Sequence, residues 1–252
     1  MLDSWLSFPV GILIAAAVST VGIGGGILWM PFLMIILKMR PDTAVLTSLL
    51  IQTAGMGSGA FAYWRRNLID LRLMLLLLAV TIPGIALGAW LTRILSPVHL
   101  EFMLGSLTLA TALIFVSANQ RYGESGRFRA EIREARRYGW GIGVMVVTSG
   151  MLSISIGEWL VPIMRSKLSL RMNVAVATSV ATIFGTCVIG GLSHLLLGGH
   201  ANGASIAWAV PGVIIGGQIG PRIAERVNER ILKEIFIFLL TLIGIHLIYN
   251  SY

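Results

Sequence analysis

The sequence predicts an all-α integral membrane protein. Hydrophobic residues make up 56% of the 252 residues and charged residues only 12%, and the mean hydropathy is +0.85, which excludes an ordinary soluble domain. Apolar runs near the ~20 residues that a helix needs to cross a bilayer recur along the chain, each bounded by charged or turn residues. The six clear runs are 43–63, 71–92, 98–118, 173–197, 205–221 and 231–249.

Two further apolar stretches, 9–37 and 140–164, are interrupted near their middle. The first reads VGIGGGILWMP from Val21 to Pro31, and the second reads MLSISIGEWLVP from Met151 to Pro162. In lipid, a broken helix survives only where protein or a polar cavity satisfies its freed N–H and C=O groups. Paired breaks are therefore typical of a transporter with a site near the midplane. We expect each stretch to form two half-helices of about twelve residues.

The two halves of the chain repeat one another. A shift of 128 positions superposes 83–88 on 211–216, and a shift of 131 superposes Gly26 on Gly157, Pro31 on Pro162, Thr47 and Ser48 on Thr178 and Ser179, and Gly59 on Gly190. This is an internal duplication. It divides the chain into a first repeat at 1–118, a charged linker at 119–139 and a second repeat at 140–252. Each repeat contains one broken stretch followed by three helices.

The positions of Lys and Arg distinguish two topologies. If each broken stretch crosses the membrane, there are eight full crossings and the basic residues divide almost equally between the sides. If each re-enters as a hairpin, six helices cross, and one side holds only Lys38, Arg40 and Arg93 while the other holds the remaining 16 of 19. The positive-inside rule favours the second topology. It makes the repeats inverted, the linker cytoplasmic and both termini outside, with eight crossings as the alternative.

Several other classes of protein are disfavoured. The net charge of +8 does not indicate nucleic acid, because Lys and Arg lie in short clusters between apolar runs, as orientation signals do. The single Cys187 lies in an apolar run, so we expect no disulfide framework, no metal and no cofactor. Ser58 with His194 is the nearest pair for an intramembrane hydrolase, but neither a recognisable motif nor an orienting carboxylate accompanies it. We expect no enzyme.

An anion site at the two tips is the chemistry that these residues favour. No Lys or Arg falls within the predicted spanning cores, so positive potential has to come from the half-helices that begin at Gly26 and Gly157. Hydroxyls at the start of the following helices, and Gln52 one turn deeper, can donate hydrogen bonds. The candidate substrate-binding residues are Gly22, Gly24, Gly25, Gly26, Thr47, Ser48, Gln52, Ser155, Gly157, Thr178 and Ser179. The alternative role of the glycines is to let helices pack closely. The alternative role of the hydroxyls is to hydrogen-bond to a carbonyl of their own helix.

Glu158 is the least expected residue, because an ionised carboxylate at a membrane hairpin tip is costly. We expect it to take up a proton, as a group that couples transport to protons would, with His194 as the second candidate. The alternative is a structural carboxyl that bonds nearby amides or pairs with His194. Trp29 and Trp159 flank the tips and are expected to wall the pocket, with packing or interface anchoring as their alternative.

In their order and spacing, these motifs resemble the sulfite exporter TauE/SafE family, also called the toluene sulfonate uptake permease family. The residues that carry the resemblance are Gly22-Ile-Gly-Gly-Gly26 with Pro31, Ala44-Val-Leu-Thr-Ser48, Tyr63, Ile69-Asp70 and Pro83-Gly-Ile-Ala-Leu-Gly88, and in the second half Ala175-Val-Ala-Thr-Ser179, His194 and Pro211-Gly-Val-Ile-Ile-Gly216. The resemblance covers essentially the whole chain.

The resemblance implies a secondary transporter of small anions in the bacterial cytoplasmic (inner) membrane. Its substrates would be sulfite, sulfoacetate, other organosulfonates or a small carboxylate. Movement together with a proton is the expectation that rests on Glu158, and a homodimer is left open. The second tip, at 153–158, departs from the family's glycine-rich pattern, which leaves the substrate and the coupling ion open. An anion channel is the alternative, because re-entrant loops also build pores.

Overall fold

The computed structural model describes residues 4–117, 126–223 and 229–250, and these ranges are predominantly α-helical. A 3-10 turn at Ser4–Leu6 leads into the first helix, and a π-helical turn at Phe32–Ile36 continues the second. The helices in the described ranges are α1 (Ser7–Val21), α2 (Gly26–Pro31), α3 (Pro41–Trp64), α4 (Leu71–Ile94), α5 (Pro97–Ser117), α6 (Ile132–Leu152), α7 (Gly157–Ser166), α8 (Met172–Leu196), α9 (Gly203–Ile223) and α10 (Glu229–Asn250).

The helices are those of an all-α integral membrane protein, as the sequence predicts. Within the described residues, α3, α4, α8, α9 and the segment Ser4–Val21 are long and apolar enough to cross a membrane. The first four coincide with predicted crossings. The predicted runs at 98–118 and 231–249 correspond to α5 and α10, in which shorter apolar windows lie at Pro97–Leu113 and Leu240–Tyr249.

The broken stretches differ in part from the expected half-helices. Their first arms are long, at Ser4–Val21 and Ile132–Leu152, and their second arms are short, at Gly26–Ile36 and Gly157–Ser166. The expected length of about twelve residues is therefore wrong for the first arms, which are longer. Residues 132–139, predicted as linker, form the start of α6, where Glu134 lies in the first turn and is favourable beside the positive end of the helix. Residue 118 and residues 119–125 of the predicted linker lie outside the described ranges.

Each break begins at a residue in the left-handed conformation. Gly22 ends α1 with φ of 78°, and its N–H donates to the Val18 carbonyl at 2.9 Å, a common way for a helix to stop. At the equivalent place Ser153 ends α6 with φ of 57°. A side chain in this region costs on the order of 1–2 kcal/mol, so other contacts have to offset the strain at Ser153.

Packing contacts give the direction of the helices. Gly212 lies against Phe8, and Gly220 lies against Ser19, so α1 runs parallel to α9. The α3 helix also runs parallel to α9. The Asn202 N–H, just before α9, donates to Thr47 in the first part of α3, and Arg66, just after α3, donates to the Pro221 carbonyl in the last turn of α9. Since α1 and α3 run the same way, the first broken stretch starts and ends on one side of the molecule, as a hairpin does.

The second half repeats the packing of the first half, but with its helices running in the opposite direction. The α3 and α8 helices, which the duplication relates, run antiparallel: Leu50 lies near Gly191, and Val180 lies near Gly59. The α6 helix packs along α4 as α1 packs along α9, with Gly88 against the Val147 carbonyl. Each hairpin thus packs on a helix of the other half.

Hydrogen bonds repeat between the halves at equivalent or adjacent positions. The Tyr63 hydroxyl donates to the Ser19 carbonyl at 2.8 Å, and His194 Nε2 lies 2.8 Å from the Gly150 carbonyl. A second pair joins loops to helices: Thr47 Oγ1 accepts from Asn202 N–H at 2.9 Å, and Thr178 Oγ1 accepts from Asp70 N–H at 3.0 Å. Equivalent residues therefore hold equivalent joints in the two halves.

Candidate functional site

The two hairpin tips, Gly22–Gly26 and Ser153–Gly157, are buried and touch one another. Gly24 faces the Ser155 side chain and Gly26 faces the Ser153 carbonyl, so closely that a Cβ at either glycine would overlap them. A Cβ at Gly157 would lie 2.5 Å from the Gly22 carbonyl oxygen. Glycine is needed here for tip-to-tip contact, which is a packing role beside the predicted one.

Three polar side chains form a buried cluster where the tips meet, near the middle of α3. Gln52 Nε2 donates to Ser153 Oγ at 2.8 Å and to Ser48 Oγ at 3.0 Å, and lies 3.3 Å from the Ser153 carbonyl oxygen. The Ser153 hydroxyl donates to Ser48 Oγ at 3.1 Å. These bonds offset the strain at Ser153. We call these residues the Ser48–Gln52–Ser153 cluster.

The cluster lies directly against the glycines of the first tip. A Cβ added at Gly26 would lie 3.1 Å from Gln52 Nε2, and one added at Gly25 would lie 3.4 Å from Gln52 Cγ. The Trp29 indole closes the same corner, with Cδ1 3.0 Å from the added Cβ of Gly25, and it stacks edge-on against Phe32. Trp29 is 1% exposed, so it lies at the first tip as predicted.

The helix that leaves the first tip begins without a side-chain cap. The Leu28 and Trp29 N–H groups donate to the Gly25 carbonyl. Gly25 directly precedes α2 and has no side chain that could accept from the N–H groups of the first two residues of the helix. At the second tip the Ser155 hydroxyl accepts from the Gly157 N–H at 2.9 Å. Uncapped N–H groups and the positive end of the helix dipole favour an anion.

The other predicted hydroxyls hold helices and loops together. Thr47 and Thr178 accept the loop N–H groups described above, and Ser179 donates to the Gly22 carbonyl at 2.6 Å. Of the four Thr and Ser residues that open α3 and α8, Ser48 alone belongs to the cluster. Ser155, as a cap of Gly157, also has a local structural role.

His194 is buried at a joint between helices, and its Nε2 bonds to the Gly150 carbonyl. A carbonyl only accepts, so Nε2 carries a proton there. Trp159 is partly buried in α7. Glu158 is the second residue of α7, and its side chain lies outside the described part of the structure.

Sequence reasoning missed Ser153, the residue that brings the second tip into the cluster. The duplication aligns Ser153 with Gly22, and a serine at a position that requires left-handed backbone was the available signal. The duplication also aligns Gln52 with Ile183, which packs on Gly157 with its Cδ1 2.6 Å from an added Cβ. The polar cluster therefore has no polar counterpart at that position.

Comparison with known proteins adds two similarities. The family model described as "Sulfite exporter TauE/SafE" matches residues 7–247, which include both hairpins. The chain is 27% identical over 262 residues to the "Probable membrane transporter protein YunE" of Bacillus subtilis (strain 168), with 96% of each chain covered. No solved structure matches the chain.

Proposed function

This chain belongs to the sulfite exporter TauE/SafE family and is a membrane transporter, and we propose that it carries small sulfur-containing anions such as sulfite, sulfoacetate or other organosulfonates. The family match confirms the resemblance that its motifs indicate. The observation that carries the proposal is the buried contact between the two hairpin tips at the Ser48–Gln52–Ser153 cluster. The substrate binds there, where the first tip meets the second.

The chemistry of the first tip supports an anion. The uncapped start of α2 supplies N–H donors and the positive end of a helix dipole, and Ser48 can turn its hydroxyl hydrogen toward a ligand because Gln52 and Ser153 both donate to its oxygen. Trp29 forms one wall of the site, and Trp159 forms the matching wall at the second tip. Binding by backbone and hydroxyls suits a transporter, which must also release its cargo.

We further propose that the two halves are inverted repeats with the linker in the cytoplasm and both termini outside. The antiparallel course of α3 and α8 and the matched joints support this arrangement. In this arrangement the sequence assigns 16 of the 19 Lys and Arg to the cytoplasmic side, which is the distribution that the positive-inside rule favours in a bacterial cytoplasmic membrane.

Single cysteines test this orientation. The free Cys187 is buried, so it gives a low background with an impermeant thiol reagent. We expect Arg40→Cys to be labelled in intact cells and Arg127→Cys to be labelled only after the membrane is opened. The reverse pattern would mean that the protein has the opposite orientation in the membrane. Labelling of both cysteines from outside would contradict the inverted-repeat proposal.

Proton coupling through Glu158, with His194 as the second candidate, belongs to the same proposal. Glu158 follows Gly157 at the start of α7, where a lone acid beside the second tip can bind and release a proton. Glu158→Gln should bind substrate but lose accumulation driven by a pH gradient. Unchanged accumulation in this variant would give Glu158 a structural role.

Uptake by proteoliposomes tests the function. Purified protein should take up radiolabelled sulfite with saturation, and the flux should be competed by organosulfonates. Gln52→Leu should lose most of this uptake, whereas Ile183→Leu, the matched change at the second tip, should keep it. Unsaturable flux that follows the membrane potential would favour the anion channel. Saturable uptake of a small carboxylate, without competition by sulfite, would favour a carboxylate carrier.

A further inference from the structure

The Ser48–Gln52–Ser153 cluster contains one buried acceptor that no described residue uses. Gln52 is 2% exposed, and its Nε2 is occupied by Ser48 and Ser153. Its Oε1 is buried and has no hydrogen-bond partner within the described part of the chain. Buried amide oxygens are nearly always paired, because an unpaired one loses its bonds to water without replacement. The free acceptor is therefore available to a donor on a bound molecule.

The Ser153 carbonyl fixes which end of the Gln52 amide faces it. A carbonyl oxygen only accepts, so the atom 3.3 Å away has to be the donor Nε2. Turning the amide over would set two acceptors against each other. Nε2 and Cγ both lie against Gly25 and Gly26. Because Oε1 is bonded to the carbon between these two atoms, it also lies at the first tip.

The other buried atoms without a partner in the described ranges do not carry the same meaning. They are the hydroxyl oxygens of Ser7, Ser19 and Ser205. A serine hydroxyl is both a donor and an acceptor and can rotate toward either kind of partner, so its lack of a partner does not call for a donor in particular. An amide oxygen has no proton to place and depends on a donor brought to it.

We propose that the anion bound at the first tip carries a hydrogen-bond donor and that Gln52 Oε1 accepts it; this inference rests on the proposed function. For a sulfur oxyanion the donor is the O–H of the singly protonated form, hydrogen sulfite, written HO–SO2⁻. Doubly ionised sulfite has only acceptors and would face Oε1 lone pair against lone pair. A hydroxyl on the tail of an organosulfonate supplies the same chemistry.

Selection of the protonated anion has a consequence for coupling. Hydrogen sulfite carries its own proton across the membrane, in addition to the proton that Glu158 is proposed to couple. Ile183, which takes the place of Gln52 at the second tip, offers no acceptor for such a proton. Gln52 is then the residue that reads the protonation state of the substrate.

Two pairs of ligands test the inference on the unaltered protein. Methanesulfinate, CH3–SO2⁻, has the charge and shape of hydrogen sulfite but a methyl group in place of the hydroxyl. The second pair is isethionate and propane-1-sulfonate, in which a methyl group replaces the hydroxyl at the end of the carbon tail. With purified protein, at a pH where sulfite is singly protonated, we expect hydrogen sulfite to bind at least about tenfold tighter than methanesulfinate. A preference within the second pair alone would move the donor to the tail.

Two variants assign the preference to Gln52. Gln52→Met keeps the length of the side chain but removes both hydrogen-bonding ends, and it should bring the ratio of the two affinities close to one. Ile183→Met, the matched change at the second tip, should leave the ratio unchanged. The ligand comparison on the unaltered protein holds even if Gln52→Met fails to fold.

The outcomes separate the two proposals. Tight binding of hydrogen sulfite and methanesulfinate with equal affinity, and no preference within the tail pair, would overturn the donor inference and leave the anion site standing. A preference that survives in folded Gln52→Met would also overturn it, since another group would then read the donor. Binding of none of the four anions would remove the proposed function and this inference together.

Discussion

The two hairpin tips share one geometry and differ in polarity. Gly26 of the first tip lies against Gln52 and the Ser153 carbonyl, whereas Gly157 of the second lies against Ile183 and the Gly22 carbonyl. The Ser48 hydroxyl joins a cluster of side chains, whereas its counterpart Ser179 donates to the backbone of the first tip.

The difference separates what the fold needs from what binding needs. Contacts that occur twice, such as the packing of each tip glycine against backbone of the other tip, are requirements of the paired hairpins. Contacts that occur once, above all those of Gln52, are not demanded by the symmetry of the fold. The site we propose is made from the second kind and lies at the first tip.

The largest expected effect comes from a contact that occurs at both tips. Gly26→Ala places a Cβ onto the Ser153 carbonyl and should destabilise the protein by about 3 kcal/mol or more, because backbone cannot move aside. Thermal unfolding in detergent measures this. Gly25→Ala is the control, since its Cβ meets mainly the Trp29 side chain. Equal stability of the two variants would mean that the tips do not touch.

The next effect compares equivalent serines. Ser48→Ala should weaken anion binding about tenfold, the scale of one hydrogen bond to a charged group, with little change in unfolding temperature. Ser179→Ala should do the opposite, because its hydroxyl holds the Gly22 carbonyl. Binding and unfolding are measured on the same preparations. If Ser179→Ala weakens binding as much as Ser48→Ala without loss of stability, the site spans both tips equally.

Ser153→Gly makes the second tip resemble the first. Glycine removes the left-handed strain, on the order of 1 kcal/mol, but also removes the hydroxyl that Gln52 and Ser48 share. We expect a stability close to that of the parent and a binding affinity reduced several-fold, by about 1 kcal/mol. Unaltered affinity would show that Ser153 only shapes the backbone.

The smallest effect concerns the joints that hold the first arms. Tyr63→Phe and His194→Leu each leave one carbonyl without its partner, so each should lower the free energy of unfolding by about 1 kcal/mol. Denaturation of the two variants in detergent checks this. A loss of pH-driven accumulation in His194→Leu, with none in Tyr63→Phe, would instead make His194 the proton carrier.

Hydropathy and charge position are enough to predict the membrane helices, because length and apolarity decide where a helix can cross. Hydropathy and charge do not predict the length of the first arm of a hairpin, because Ser4–Val21 contains no polar residue run that would end α1 earlier. Thr47 and Ser48 are indistinguishable by composition. Neighbours on a helix point about 100° apart, so only one of them faces the tip, and packing decides which.

The location of bound selenite, the selenium analogue of sulfite, tests the central claim most directly. In crystals soaked or grown with selenite, an anomalous difference map at the selenium edge marks the anion without reference to any variant. The account predicts a peak about 3–4 Å from the side chains of Gln52 and Ser48, within hydrogen-bond reach of the bound oxygens. A peak beside Ile183 at the second tip, with none near Gln52, would contradict it.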